Sequence, residues 1–321
     1  MALELVPRSG PDPYDTCVSF TLSRLDRPNS RIAYTKALTA FRGWLMSNGG
    51  TFTWERVNAY RDELLLQGLS PNTINLRLCA IRKFAESLWL ANIVPQDVFQ
   101  KIKAGIKNVK TEGVKVGTWL TKEQMQSLLD APALSKRPKP LKILRDRAML
   151  AVLMGCGVRR EELCSLTIEH FRKIKNVWTI ADMSGKGNKR RTIPMGDWCA
   201  VLVQEWIDAI RRTNAAYHNG LPLFSCISQT GILKCQQMTE QNVYELVKKY
   251  GKVIEVDITP HDLRRSFARL ADESGAKLTQ ISLSLGHSDT KTTLLYLGGN
   301  QSYTESAGQS FSLEVSREPN S

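Results

Sequence analysis

Lys101 to Thr118 reads KIKAGIKNVKTEGVKVGT, and no other stretch limits the fold of this 321-residue chain so strongly. Five lysines (Lys101, Lys103, Lys107, Lys110, Lys115) face a single acid, Glu112, and three glycines interrupt them. Such a run offers few apolar groups to a core, and its glycines favour a connection over a helix or strand. The chain is long enough to bury two cores, so two domains are expected with this basic stretch between them. The expected division is a first domain over 13–105, a linker over 106–118, a second domain over 119–315 and a flexible tail over 316–321. Residues 1–12 include LVPRSG (Leu5 to Gly10), which looks like a protease-recognition scar, and are expected to be tag or disordered.

The first hundred residues carry helical periods and no β signal. Asn29-Ser30 can cap a helix whose stripe is Tyr34, Leu38, Phe41 and Leu45, and Asn48-Gly49-Gly50 can end it. Thr53 opens another with Val57, Tyr60 and Leu64 on one face, stopped near Gly68. Ser70-Pro71 is a strong start, a capping side chain followed by proline at the first helical position. Ile74, Leu78, Ile81 and Leu88 follow as its buried face. With an earlier helix over Cys17 to Leu25, this makes a bundle of four or five helices. The Ser70-Pro71 helix also carries Thr73, Asn75, Arg77, Arg82 and Lys83. These form either a solvated face or a face laid against DNA, with basic groups on phosphates and polar groups on base edges. Lys107 and Lys110 have the same two readings: a solvated run, or one lying along a phosphate backbone.

Beyond the linker, Thr121 to Gln124 fits a capping box ahead of Met125, Leu128 and Leu129. Ile143 to Gly155 is an apolar helix ending at Gly155-Cys156-Gly157. The next helix sets Arg159 in its first turn, where a side chain can project into a cleft and backbone N–H groups can help hold an anion. Glu162, one turn on, can brace Arg159, although an ordinary surface ion pair is the other reading. Val177–Met183 and Arg190–Pro194 alternate like strands around Ser184-Gly-Lys-Gly-Asn188. Lys186 at that tip is either a plain turn lysine or a mobile one reaching a phosphate or a leaving oxygen. Helices are expected over Trp198–Thr213 and Thr239–Tyr250. A Thr-Pro helix start then precedes His261 and Arg264, His287 follows in a Leu-Gly-His turn, and Tyr296 comes nine positions later. Packing explains any one of these alone; together they suggest a site that holds a phosphodiester and attacks it.

Lys and Arg number 44 against 31 Asp and Glu, a formal charge of +13. That balance favours a polyanionic partner, because each neutralised phosphate releases counterions. No run of about 18 apolar residues suggests a membrane span, and the N-terminus lacks a signal-peptide core. Seven scattered cysteines (Cys17, Cys79, Cys156, Cys164, Cys199, Cys226, Cys235) with no C-x-x-C pair fit a reduced cytosolic protein. No carboxylate cluster accompanies the histidines, which disfavours a metal-dependent nuclease.

The order Arg159-x-x-Glu162-Leu163, Gly185-Lys186-Gly187, His261-x-x-Arg264, Leu285-Gly286-His287 and Tyr296 resembles that of the tyrosine recombinases, the phage integrase and Xer-type group. Ser70 to Phe84 is similar to that family's core-binding domain, so the resemblance spans roughly residues 15–312. It implies a mainly α fold with a small antiparallel β-sheet: an N-terminal helical core-binding bundle and a C-terminal mixed α/β catalytic domain. It implies a site-specific DNA recombinase working through a 3′-phosphotyrosine and a Holliday junction, with no cofactor and no metal. In such a site Tyr296 attacks the phosphodiester, Arg159 and Arg264 clamp its non-bridging oxygens, and His287 donates to the same phosphate. Lys186 protonates the leaving 5′-oxygen, His261 deprotonates or orients Tyr296, and Glu162 supports the group. The implied partner is duplex DNA bearing recombination sites. Four protomers assemble on two sites, with Asn300 to Glu314 as the docking segment, and the free protein is a monomer or weak dimer. The implied location is the cytoplasm, with the nucleoid, of a prokaryote, phage or mobile element. A type IB topoisomerase-like enzyme and a non-catalytic DNA-binding protein of the same fold stand as alternatives.

Overall fold

The computed structural model describes residues 3–4, 13–110, 118–134, 139–184, 190–213, 217–228, 230–287 and 293. The chain divides into two compact units, Met1–Val114 and Lys115–Ser321.

Among the described residues, the first unit is built from α1 (Pro13–Ser23), α2 (Pro28–Ser47), α3 (Trp54–Leu66), α4 (Pro71–Leu90) and α5 (Gln96–Gln100). Ser70 caps α4 by accepting from the Thr73 N–H, and Pro71 takes the first helical position. Ile74, Leu78, Ile81 and Leu88 are all buried, around Phe41, Phe52 and Phe84. Those rings meet edge-on, with centroids 6.0 Å (Phe41–Phe52) and 5.7 Å (Phe52–Phe84) apart. α2 starts at Pro28 rather than at an Asn29-Ser30 cap, because a proline with no N–H to satisfy suits the first turn. α1 begins at Pro13, earlier than the expected Cys17, since Tyr14 is itself an anchor whose hydroxyl donates to the Leu38 carbonyl at 2.9 Å. A short antiparallel pair, β1 (Leu3–Glu4) on β2 (Thr51–Phe52), was not expected; strands of two residues give no period to read.

The start of the lysine stretch is part of this unit. Lys101–Gly105 continues α5 as a π-helical turn, and Ile102 and Ile106 are buried. Gly105 is required there, since a Cβ would stand 2.6 Å from Trp54 Nε1. The Asn75 amide then pairs with both backbone groups of Val109, donating to its carbonyl at 2.9 Å and accepting from its N–H at 2.8 Å. Arg82 donates to the Ile106 carbonyl and to Asn108 Oδ1, and Arg61 donates to the Lys107 carbonyl. The linker expected from 106 onward therefore begins four residues inside the packed unit.

The second unit opens with α6 (Lys122–Asp130), whose Thr121–Gln124 capping box is complete. α7 (Pro140–Cys156) runs through the core with every residue from Ala148 to Leu153 buried. After α8 (Arg160–Ser165) comes an antiparallel sheet, β3 (Phe171–Ile174), β4 (Val177–Ser184) and β5 (Arg190–Pro194), in that order. β3 was not expected: its Phe171-Arg-Lys-Ile174 gives only one buried position. α9 (Asp197–Thr213) packs against α7, and β6 (Ser225–Ile227) pairs with β7 (Leu233–Gln237), another unexpected hairpin. α10 (Glu240–Val253), α11 (Pro260–Glu273) and α12 (Leu278–Leu285) complete the described part. Arg145 and Asp146, adjacent on α7, are buried as a pair, with Asp146 also accepting from the Tyr250 hydroxyl at 2.6 Å. This is the mainly α fold with small antiparallel sheets that was expected. No described helix is long and apolar enough to cross a membrane.

Candidate active site

α7 ends at Gly157 in the left-handed conformation, φ 58°. Glycine is needed here twice over, because a Cβ would also meet Phe267 Cδ1 at 2.4 Å. The reversal delivers Arg159 to the start of α8. Its N–H donates to Glu162 Oε2 at 2.7 Å and its Nη1 to Oε1 at 2.9 Å. Glu162 is buried and takes a second arginine, Arg191 of β5, on both oxygens at 2.9 and 2.8 Å. Burial pushes the Glu162 carboxyl up, but the Arg191 and Arg159 hydrogen bonds and charges outweigh it and hold it at about 2. Glu162 is thus an anion whose oxygens are fully occupied.

α11 supplies the next two residues. Thr259 and Asp262 close its N-terminus through a capping pair, with Pro260 at the first position. His261 on the first turn keeps an exposed edge, while burial of its inner side and the Arg265 and Arg264 charges push its pKa below the ordinary histidine value. Arg264, one turn on, is buried. Its Nη1 donates to the Gly157 carbonyl at 2.5 Å and its Nη2 to the Leu285 carbonyl. One guanidinium therefore ties the α7–α8 turn to the end of α12.

α12 ends at Gly286, again left-handed with φ 63°, and His287 follows. Arg264 Nη2 lies 3.0 Å from His287 Nε2. A guanidinium can only donate, so Nε2 is the acceptor and the neutral ring carries its proton on Nδ1. Nδ1 in turn faces Thr293 Oγ1 at 2.9 Å, and Thr293 Oγ1 lies 2.7 Å from Ser282 Oγ. Burial, then the Arg264, Arg159 and Arg191 charges, lower the His287 pKa to about 4. Arg159, His261 and Arg264 line one cleft of about 440 Å³, whose other walls include Tyr244, Glu240 and Arg160. Arg160 points to Glu240 at 2.9 Å and Arg265 toward Asp262 at 3.7 Å, so neither displaces its neighbour from the site.

The structure thus brings together Arg159, Glu162, His261, Arg264 and His287 of the expected group. Lys186 and Tyr296 lie outside the described residues. Of the α4 side chains read as facing DNA, several have partners within the chain. Thr73 Oγ1 meets Ser70 Oγ at 2.8 Å, Arg77 donates to the Tyr60 hydroxyl at 3.1 Å, and Lys83 pairs with Glu86 at 3.0 Å. Asn75 and Arg82 are the side chains that hold 106–109. Lys107 and Lys110 are exposed. Among the described residues no group of three His, Cys, Asp or Glu is placed to hold a metal ion.

Two residues of the cluster were not anticipated. Arg191 shares a strand face with buried Ile193, and an arginine on a core face is a readable signal that it needs a buried anion. Thr293 offers no such signal beyond lying three residues before Tyr296.

Residues 118–302 match the family model described as the phage integrase family. Tyrosine recombinase XerD of Pseudomonas putida KT2440 is 32% identical over 277 residues, covering 84% of this chain and 86% of that protein. The XerD of Haemophilus influenzae Rd is 31% identical over 274 residues, covering 84% and 86%. The structure of the Tn1549 transposon integrase in complex with circular intermediate DNA superposes with a TM-score of 0.66 at 19% identity, covering 93% of this chain and 99% of that one. At that identity the superposition speaks for the fold.

Proposed function

We infer residue roles from one premise: the chain belongs to the phage integrase family and is a tyrosine recombinase, a site-specific recombinase of DNA. The observation that carries the reading is the cleft in which Arg159, His261 and Arg264 share a wall, with His287 bonded to Arg264. Such a cleft fits a phosphodiester. Arg159 and Arg264 clamp its non-bridging oxygens and stabilise the charge of the pentacoordinate transition state. His287 donates to the same phosphate once a proton sits on Nε2. Tyr296 is the nucleophile: its phenolic oxygen bonds to phosphorus as the bond to the 5′-oxygen breaks. The product is a 3′-phosphotyrosine and a free 5′-hydroxyl, whose leaving oxygen takes a proton from Lys186. His261, open at the cleft, accepts or orients the Tyr296 proton, and Glu162 fixes Arg159. Attack by a 5′-hydroxyl from another duplex reverses the step with no external energy source. Four protomers on two DNA sites would complete the exchange, and the protein would act wherever that DNA is held.

The test is covalent trapping on a nicked duplex, its sequence taken from a randomised pool selected by the wild-type protein. Wild type gives a denaturant-resistant adduct, while Tyr296→Phe binds the duplex and gives none. An adduct that persists in Tyr296→Phe overturns the assignment.

A further inference from the structure

Arg191 is not part of the clamp just described, yet three hydrogen bonds hold its side chain beside it. Both its terminal nitrogens donate to Glu162, and its Nε donates to the Ser284 carbonyl at 3.0 Å. Its side chain keeps 12% of its surface exposed, against 32% for Arg159. Arg191 therefore faces inward, while Arg159 turns its remaining surface to the cleft. Gly286 makes room for it, since a Cβ there would stand 2.9 Å from Arg191 Nη1.

We propose that Arg191 is a positioning residue for strand cleavage: it takes up the charge of Glu162, so that Arg159 is held in place without being neutralised. This rests on the reading of Arg159 as a phosphate ligand. Glu162 braces Arg159, but an Arg159–Glu162 pair alone sums to zero and attracts an anion weakly. A second guanidinium on the same carboxylate restores one net positive charge at the cleft wall. The buried Glu162 carboxylate accepts on both oxygens, as a buried charge requires. Through Ser284 the same side chain also fixes the end of α12, and with it the turn that carries His287. Lysine cannot replace the three-way fork, because it brings the charge without the planar donors.

The test uses full-length variants and cleavage of the nicked, pool-selected duplex, with duplex affinity and melting temperature measured beside it. Arg191→Gln is expected to slow cleavage by about 100-fold, the usual effect of losing one preorganised donor, with affinity within about threefold. The decisive variant is Glu162→Gln/Arg191→Gln. It restores the net charge that Arg191→Gln removes, so it should cleave at least about tenfold faster than that single variant, a coupling of the kind double-mutant cycles resolve. A role confined to stability predicts no such recovery. Cleavage by Arg191→Gln at the wild-type rate, or a double variant no faster than the single, overturns the proposal. Should Arg191→Gln fail to fold, Arg191→Lys decides: about tenfold slower than wild type supports the fork, and an unchanged rate overturns it. Arg159→Ala separates the two levels of inference. Unaltered cleavage there overturns the reading of Arg159 itself, whereas lost cleavage there beside normal cleavage in Arg191→Gln removes only the role of Arg191.

Discussion

Asn75→Ala tests where the first unit ends. The Asn75 amide spans 34 residues to make two hydrogen bonds with the backbone of Val109, at 2.9 and 2.8 Å. Each bond contributes about 1 kcal/mol net, so the substitution removes roughly 2 kcal/mol of local stability from residues around Val109. Ile106 stays buried, and Arg82 and Arg61 still hold Ile106, Lys107 and Asn108, so the unit as a whole stays folded. At 1.4 kcal/mol per decade, the opening equilibrium at Val109 rises about 30-fold. The assay is native-state hydrogen exchange of the Val109 amide, which reports local opening directly. The expected outcome is exchange about 30-fold faster at Val109, with buried α4 amides unchanged. DNA affinity supplies the contrast. If Asn75 reads a base edge, Asn75→Ala weakens duplex binding while Val109 exchange stays at the wild-type rate. That pattern would refute the packing argument and return 106–110 to a free linker.

Acid should destabilise the second unit in two overlapping windows. Glu162 titrates near 2 in the folded chain against an ordinary 4.5. Its contribution, on the order of 3 kcal/mol, is present above pH 4.5 and is lost as pH falls toward 2. His287 is held neutral down to about 4 against an ordinary 6.5, so the unfolded chain takes up that proton first and stability already declines below 6.5. Urea unfolding across pH 7 to 2 should show both declines, and Glu162→Gln should flatten the lower one; an unchanged lower limb would sink the charge assignment. Duplex binding, in turn, should take up protons near pH 7, because a phosphate beside Arg264 raises the His287 pKa. Affinity then increases as pH falls, and calorimetry in buffers of different ionisation enthalpy reads the uptake. His287→Gln should lose that uptake, and equal uptake in both proteins argues against a proton on Nε2.

Much of the fold was legible because single residues at element ends speak loudly. Ser70-Pro71 and Thr121–Gln124 announce helix starts whose caps form as read. The charge of the lysine stretch, by contrast, hid its packing. Ile102, Ile106 and Val109 recur at helical spacing inside it, and two of them are fully buried. A count of lysines cannot show this, since a lysine-rich face and an apolar face share the same segment. The site was legible in its parts and not in its wiring. Arg159, Glu162 and Arg264 were read from the family order and the Glu162 brace from its spacing to Arg159, but the backbone carbonyls of Gly157 and Leu285 and the Arg191 side chain of β5 also hold them. Long-range contacts of that sort leave no local pattern in the sequence. The asparagine and arginine on α4 pose a different difficulty: a polar residue on a helix face gives the same signal whether it meets DNA or its own chain.

The charges of this cluster are largely balanced within the chain itself. Two guanidiniums, Arg159 and Arg191, share one carboxylate, with Arg264 held separately by backbone carbonyls, and the repulsion among these cations has to be absorbed somewhere. Part is absorbed by Glu162, which is held ionised, while burial first and the neighbouring arginine charges second lower the pKa of both histidines. The rest is absorbed by backbone carbonyls on Arg264. On the proposed reading, an entering phosphodiester would meet donors already held by the chain, so little reorganisation would accompany the growth of charge at phosphorus. On that reading the same anion would relieve the depression of His287. Its Nε2 can then take a proton and turn from an acceptor for Arg264 into a donor for the phosphate, while Nδ1 keeps its bond to Thr293. The Thr293 hydroxyl that fixes this tautomer also meets the Ser282 hydroxyl.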